Sequence, residues 1–135
     1  MNNLRFSTAV HILVLLDFFK DELISSDFIS KSIGVNAVIV RKEIITLRKA
    51  GFIDCKRGKI GGYKLKKDAN SILLSDIYRA VNPKNIGKYN DPNPKCPVGV
   101  KINDSLENIF SKIESSIYAS LSDTTLRSFK EMTGN

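Results

Sequence analysis

The sequence is poor in the residues that most often carry chemistry. It has one histidine, His11, and two cysteines, Cys55 and Cys96, 41 positions apart. That inventory excludes a disulfide-dense secreted scaffold and a four-ligand zinc site. No Cys-x-x-Cys occurs, nor a glycine loop ending in Lys-Ser/Thr, nor any paired ligand spacing. The chain is therefore expected to be no enzyme and to hold no metal. No apolar run approaches the roughly 20 residues that cross a bilayer. Ala9 to Leu16 follows Arg5 as the core of a secretion signal would, yet Asp17 ends the run and no small-x-small cleavage site follows. The expectation is a cytoplasmic protein with no membrane partner.

What is present is an ordinary soluble composition with an uneven charge. The 135 residues are 42% apolar and 26% charged, which suits one globular domain. Lys and Arg number 21 against 14 Asp and Glu, for a net charge of +7. Residues 1–67 hold 13 basic and 6 acidic side chains, whereas residues 68–135 hold 8 of each. The segment 41–67 alone carries 10 basic groups and 2 acidic ones. A cationic block beside a neutral half suggests one part that binds a polyanion and one that does something else.

The hydrophobic pattern divides the chain into elements. Leu4 to Phe19 is apolar on nearly every side, as expected of a central core helix, and His11 on it reads as a core or boundary residue. Ser25 or Ser26 suits the N-cap of a helix through Phe28, Ile29 and Ile33, which Gly34-Val35-Asn36 interrupts. A second helix, Ala37 to Ala50, places Val40, Ile44 and Leu47 on its core side, with Asn36 as N-cap and Gly51 as the left-handed stop. Two short helices joined by a glycine-containing turn describe a helix-turn-helix. Phe52 to Lys56 and Tyr63 to Lys66 then alternate like strands around Gly58-Lys59-Ile60-Gly61-Gly62, which makes a wing.

Ile72-Leu73-Leu74 reads as a strand leading into a short capped helix from Asp76 to Val81. All four prolines fall between Pro83 and Pro97, with four lysines between Lys84 and Lys101, and a loop of that length is functional or a linker. Asp104 to Glu107 reads as a capping box that starts a long helix. Leu106, Ile109, Phe110, Ile113, Ile117 and Leu121 form its apolar stripe, over about 27 Å. A small winged domain cannot cover that stripe, so a homodimer is expected, and twofold symmetry suits a palindromic operator on double-stranded DNA. A last helix runs from Thr124 to Met132, capped by Ser122 or Asp123.

Three segments carry a resemblance. Leu47-Arg48-Lys49-Ala50-Gly51-Phe52-Ile53, Arg57-Gly58-Lys59-Ile60-Gly61-Gly62-Tyr63-Lys64-Leu65 and Leu74-Ser75-Asp76-Ile77-Tyr78-Arg79-Ala80-Val81 together resemble the Rrf2 family of bacterial transcription regulators. The likeness extends from Arg5-Phe6-Ser7 to Thr125-Leu126. It implies a winged helix-turn-helix with a long C-terminal dimerisation helix. Members that sense through an iron–sulfur cluster carry three cysteines in the loop before that helix, where this chain has only Cys96. One thiolate cannot hold a conventional cluster, so no cofactor is expected and the chain resembles the cluster-less branch.

The fold expected is mainly α with a small β-hairpin wing. Residues 1–82 form the winged helix-turn-helix, 83–101 a proline-rich sensor or linker loop, and 102–135 the dimerisation and C-terminal helices. The function expected is a sequence-specific DNA-binding transcription regulator, a homodimeric repressor answering a redox or small-molecule signal. A winged-helix module that binds another protein is the alternative. The DNA-binding candidates are Arg5, Asn36, Ala37, Val38, Arg41 and Lys42, with Arg57, Lys59, Gly61 and Gly62 on the wing. Tyr63 is expected to anchor the wing. Cys96, beside Lys95, is the candidate redox-sensing thiol.

Overall fold

The computed structural model describes residues 4–82 and 87–134. Pro83 to Ile86, part of the proline-rich loop of the sequence reading, lie outside the described residues. Helix α1 (Arg5–Phe18) runs through the centre, with α2 (Ser26–Ile33), α3 (Ala37–Lys49), α4 (Leu74–Val81) and α6 (Leu126–Met132) around it. Ile12, Leu13 and Leu16 of α1 meet Ile29, Val40, Ile44, Leu47, Ile72, Ile77 and Leu126, all at most 1% exposed. Each aliphatic side chain buried in this way stabilises the fold by about 1.5–3 kcal/mol.

α1 is not enclosed on every side. Its outer face leaves a groove of about 650 Å³ lined by Val10, His11, Val14, Leu15, Phe18 and Phe129 among others. His11 is exposed rather than a core residue, and Phe18 is 54% exposed.

Local chemistry sets the helix-turn-helix. Ser25 caps α2 by accepting the Phe28 N–H at 3.1 Å, and Gly34 ends it in the left-handed region. Asn36 caps α3 by accepting the Val38 N–H at 2.8 Å. Gly51, at φ 87°, stops α3, with its N–H bonded to the Arg48 carbonyl and that of Phe52 to the Leu47 carbonyl, each at 3.0 Å. This reciprocal pair satisfies carbonyls that the helix end would leave open.

The wing is an antiparallel hairpin of β1 (Ile53–Lys56) and β2 (Gly62–Leu65), with Ile53 opposite Leu65 and Cys55 opposite Tyr63. Ile24 adds a one-residue third strand: its N–H donates to the Tyr63 carbonyl at 3.0 Å, and the Tyr63 N–H returns the bond at 2.8 Å. Tyr63 thus ties the wing to the segment before α2.

Three boundaries differ from the sequence reading. Ile72-Leu73-Leu74 is not a strand before a helix at Asp76. A 3₁₀ turn (Ala69–Ser71) precedes it and α4 already begins at Leu74, with the Asp76 carboxylate accepting the Leu73 N–H at 3.2 Å. The backbone of Ile72 and Leu74 bonds instead to Leu126 and Thr124, which brings the C-terminal segment back onto the winged domain. Helix α5 (Gly99–Leu121) starts five residues before Asp104 and is about 34 Å long, so Asp104 and Glu107 lie inside it and form no cap. The start is made by a turn in which the Cys96 N–H bonds the Asn93 carbonyl and the Val100 N–H bonds the Cys96 carbonyl. α6 begins at Leu126, capped by Thr125, which accepts the Ser128 N–H at 3.0 Å. Neither Ser122 nor Asp123 caps it.

α6 is also held by charge. Asp17, 2% exposed on α1, faces Lys130 Nζ at 2.9 Å and Arg127 Nε at 3.4 Å. A buried carboxylate persists only when cations of this kind compensate it.

Candidate nucleic-acid interface

The apolar spacing of α3 buries Val40, Ile44 and Leu47 and thereby turns Val38, Arg41, Lys42 and Ile45 outward. Ala37 is half-buried at the first helical position. The Oδ1 of Asn36 accepts the cap bond from Val38, which leaves its second lone pair and the amide NH₂ for a partner. All ten basic residues from Arg41 to Lys67 are exposed. Of the two acids among them, Asp54 sits opposite Lys64 in the hairpin and Glu43 is buried. The face therefore presents a nearly unopposed positive field.

Arg5, a DNA-binding candidate by sequence, is about half exposed and pairs with α3. Its guanidinium grips Glu43 on α3, with Nε at 2.9 and 3.2 Å from the two carboxylate oxygens and NH2 at 2.9 Å, and reaches Thr46 Oγ1 at 3.4 Å. The hydrogen bonds to Glu43 hold the Arg5 pKa above its usual value, against the opposing effect of burial. A two-pronged pair of this geometry fixes orientation as well as charge. Sequence reasoning missed Glu43, although an acid inside so basic a run was a signal that it serves structure.

At the wing tip Arg57, Lys59 and Ile60 project into solvent, Ile60 being 87% exposed. Gly61 and Gly62 have packing reasons of their own. A Cβ at Gly61 would collide with the Lys56 carbonyl, and one at Gly62 would lie 2.9 Å from the Ile24 backbone. Their first service is to close the turn and to let Ile24 pair with the wing.

A second region lies on α5, none of whose 23 residues is buried. Its C-terminal part rests on α4, where the Tyr118 ring meets Tyr78 at 5.5 Å and Arg79 lies 4.8 Å above it. Leu106, Phe110, Ile117 and Leu121 are half-buried, while Ile109 and Ile113 are 50% and 40% exposed. Cys96 is exposed in the turn before α5, and the backbone N–H groups of Gly99 and Val98 lower its thiol pKa. Cys55 is half-buried on β1.

Comparison with known proteins places these features. A family model, Rrf2, described as an iron-dependent transcriptional regulator, matches residues 3–131. YwnA of Bacillus subtilis (strain 168), named as an HTH-type transcriptional regulator, is 37% identical over 129 residues, covering 94% of this chain and 95% of its own. The crystal structure of a transcriptional regulator from Lactobacillus plantarum superposes with a TM-score of 0.86 at 25% identity, over 98% of this chain and 91% of that one. A second crystal structure, described as a DNA-binding protein, does so at 0.75 and 36% identity, over 93% and 97%. Iron is implied by the family description, and the donor set can be tested against it. Among the described residues no group of three His, Cys, Asp or Glu side chains converges; Cys55 is on β1 and Cys96 is in the turn before α5. The turn before α5 offers one thiol, Cys96, where a conventional cluster takes several ligands. No helix among the described residues is long and apolar enough to cross a membrane.

Proposed function

The chain belongs to the Rrf2 family and is a DNA-binding transcription regulator, not an enzyme; on that premise we propose that it works in the cytoplasm as a homodimeric repressor on a palindromic operator, without a resident iron–sulfur cluster. The observation that carries this reading is the exposed cationic surface shared by α3 and the wing, set against a charge-balanced second half. Arg41 and Lys42, in the first turns of α3, face base edges in the major groove, with Ala37, Val38 and the Asn36 amide beside them. Arg57 and Lys59 contact phosphates or the adjacent minor groove. Such contacts release counterions, so affinity falls steeply with salt.

The second copy is supported by α5, whose exposed Ile109 and Ile113 continue the stripe of Leu106, Phe110, Ile117 and Leu121. Pairing along that stripe sets two copies of α3 about 34–36 Å apart, one turn of DNA. Residues 83–101 and the start of α5 are where a signal enters, and the exposed Cys96 thiol is the group an oxidant reaches first. Selection of duplexes from a random library by the full chain tests the reading. Enrichment of inverted repeats with half-sites one helical turn apart is expected, and an unenriched pool overturns it.

A further inference from the structure

Three aliphatic side chains of α3 stand about half or more exposed, Ile39 at 49% on the flank of the helix and Val38 and Ile45 on its outward ridge, and a phosphate-binding face has no use for the last two. Val38 is 58% exposed and Ile45 is 52% exposed, Ile45 within the basic segment 41–67 and Val38 three residues before it. At about 100° per residue, Val38, Lys42, Ile45 and Lys49 fall within about 60° of arc, directly opposite Val40, Ile44 and Leu47. The outward ridge thus alternates aliphatic, cation, aliphatic, cation, with Arg41 on its flank. Neither aliphatic belongs to the core, and both stand where the charge draws a polyanion.

The major groove offers one apolar feature to such a side chain, the 5-methyl group of thymine. Resting on the DNA-binding reading, we propose that α3 reads thymine by its methyl group: Val38 packs on one in each half-site, and Ile45 packs on a second. Val38 lies in the first turn of the helix, where recognition helices approach base edges. Ile45 stands two turns further on, about 10.5 Å along the axis, a span of about three base steps. Arg41 beside Val38 suits guanine O6 and N7, so a thymine neighbours a guanine in the half-site. Charge complementarity selects DNA over an apolar protein partner for this ridge, because Arg41, Lys42 and Lys49 surround both aliphatics and all three are exposed.

Deoxyuridine in place of thymine removes the methyl group and leaves every hydrogen-bonding group of the base. Duplexes selected by the full chain are re-made with each thymine replaced in turn, and affinity is measured for the native chain, Val38→Ala, Ile45→Ala and Lys59→Ala. Loss of the methyl under Val38 is expected to weaken binding about three- to tenfold. In Val38→Ala the thymine operator is weakened and the thymine–deoxyuridine difference at that position disappears. Ile45→Ala removes the difference at the second position, whereas Lys59→Ala weakens binding and keeps both. Circular dichroism checks that the variants, altered only at exposed positions, keep the fold. Indifference to deoxyuridine at every position overturns the inference and leaves DNA binding standing, as does full discrimination retained by both alanine variants on α3. A chain that selects no duplex overturns DNA binding and the inference together.

Discussion

Arg5, the first residue of α1, holds Glu43 in the middle of α3, 38 positions later in the chain, by three hydrogen bonds of 2.9–3.2 Å. Glu43 is 4% exposed and Arg5 about half exposed. The pair adds to the burial of Val40, Ile44 and Leu47, which turns Val38, Arg41 and Lys42 outward together. Arg5, a DNA-binding candidate by sequence, is in the structure also the partner of a buried acid on α3.

Removing the guanidinium leaves a buried carboxylate unpaired. Arg5→Ala is expected to lower stability in urea by about 2 kcal/mol, less than for a fully buried pair because Arg5 is half in water. Arg5→Ala/Glu43→Gln should recover part of that loss. The single variant should also lose preference for selected over random duplex, which an unchanged ratio in a binding titration would contradict.

Base and phosphate contacts separate by their salt behaviour. Arg41→Ala should cost about 1–3 kcal/mol on the selected operator and relax preference at one position. Lys59→Ala should weaken all duplexes alike and reduce the salt slope by about one. Titrations at several salt concentrations distinguish the two patterns.

The α5 stripe predicts a variant that folds but does not pair. Ile113→Glu changes a side chain that is 40% exposed in the single chain, so circular dichroism should be unaltered. Because a twofold contact repeats the change, the dimer dissociation constant should rise by about two to four orders of magnitude. Light scattering should find monomers at micromolar concentration, with operator affinity reduced accordingly. Dimers of undiminished stability would remove α5 from the interface.

Cys96 gives a pH signature. The N–H groups of Gly99 and Val98 favour the thiolate, so its pKa lies below that of an ordinary thiol and more of it is ionised at neutral pH. The iodoacetamide reaction rate should therefore rise through a lower pH in the folded chain than in urea, and Cys96→Ser should abolish that early rise. If the thiol also senses oxidant, peroxide should release DNA from the native chain and not from Cys96→Ser.

The helix-turn-helix and wing were legible because their limits are made locally. Ser25, Asn36 and Gly51 each act within three residues of their own position, and β1 and β2 are joined by one turn. Where distant partners decide, the sequence misled. Ile72-Leu73-Leu74 resembles a strand because its backbone does pair, but with Thr124, Thr125 and Leu126 near the far end of the chain. Asp104-Ser105-Leu106-Glu107 has the residues of a cap, yet the turn at Asn93 and Cys96 had already started α5, and a helix once begun runs through a weaker start signal. Val38 stands among the sequence candidates, whereas Ile45, within the basic segment, is set apart only by its exposure. Nothing in the sequence around Arg5 marks it as the partner of Glu43, 38 positions away.

The central claim is that two copies joined through α5 present two cationic α3–wing surfaces to one duplex. Sedimentation of the full chain with a fluorescent selected operator, at rising salt, tests it most directly. The account predicts two chains per duplex at low salt and release that steepens as salt increases. One chain per duplex, or no complex even in dilute buffer, would contradict it.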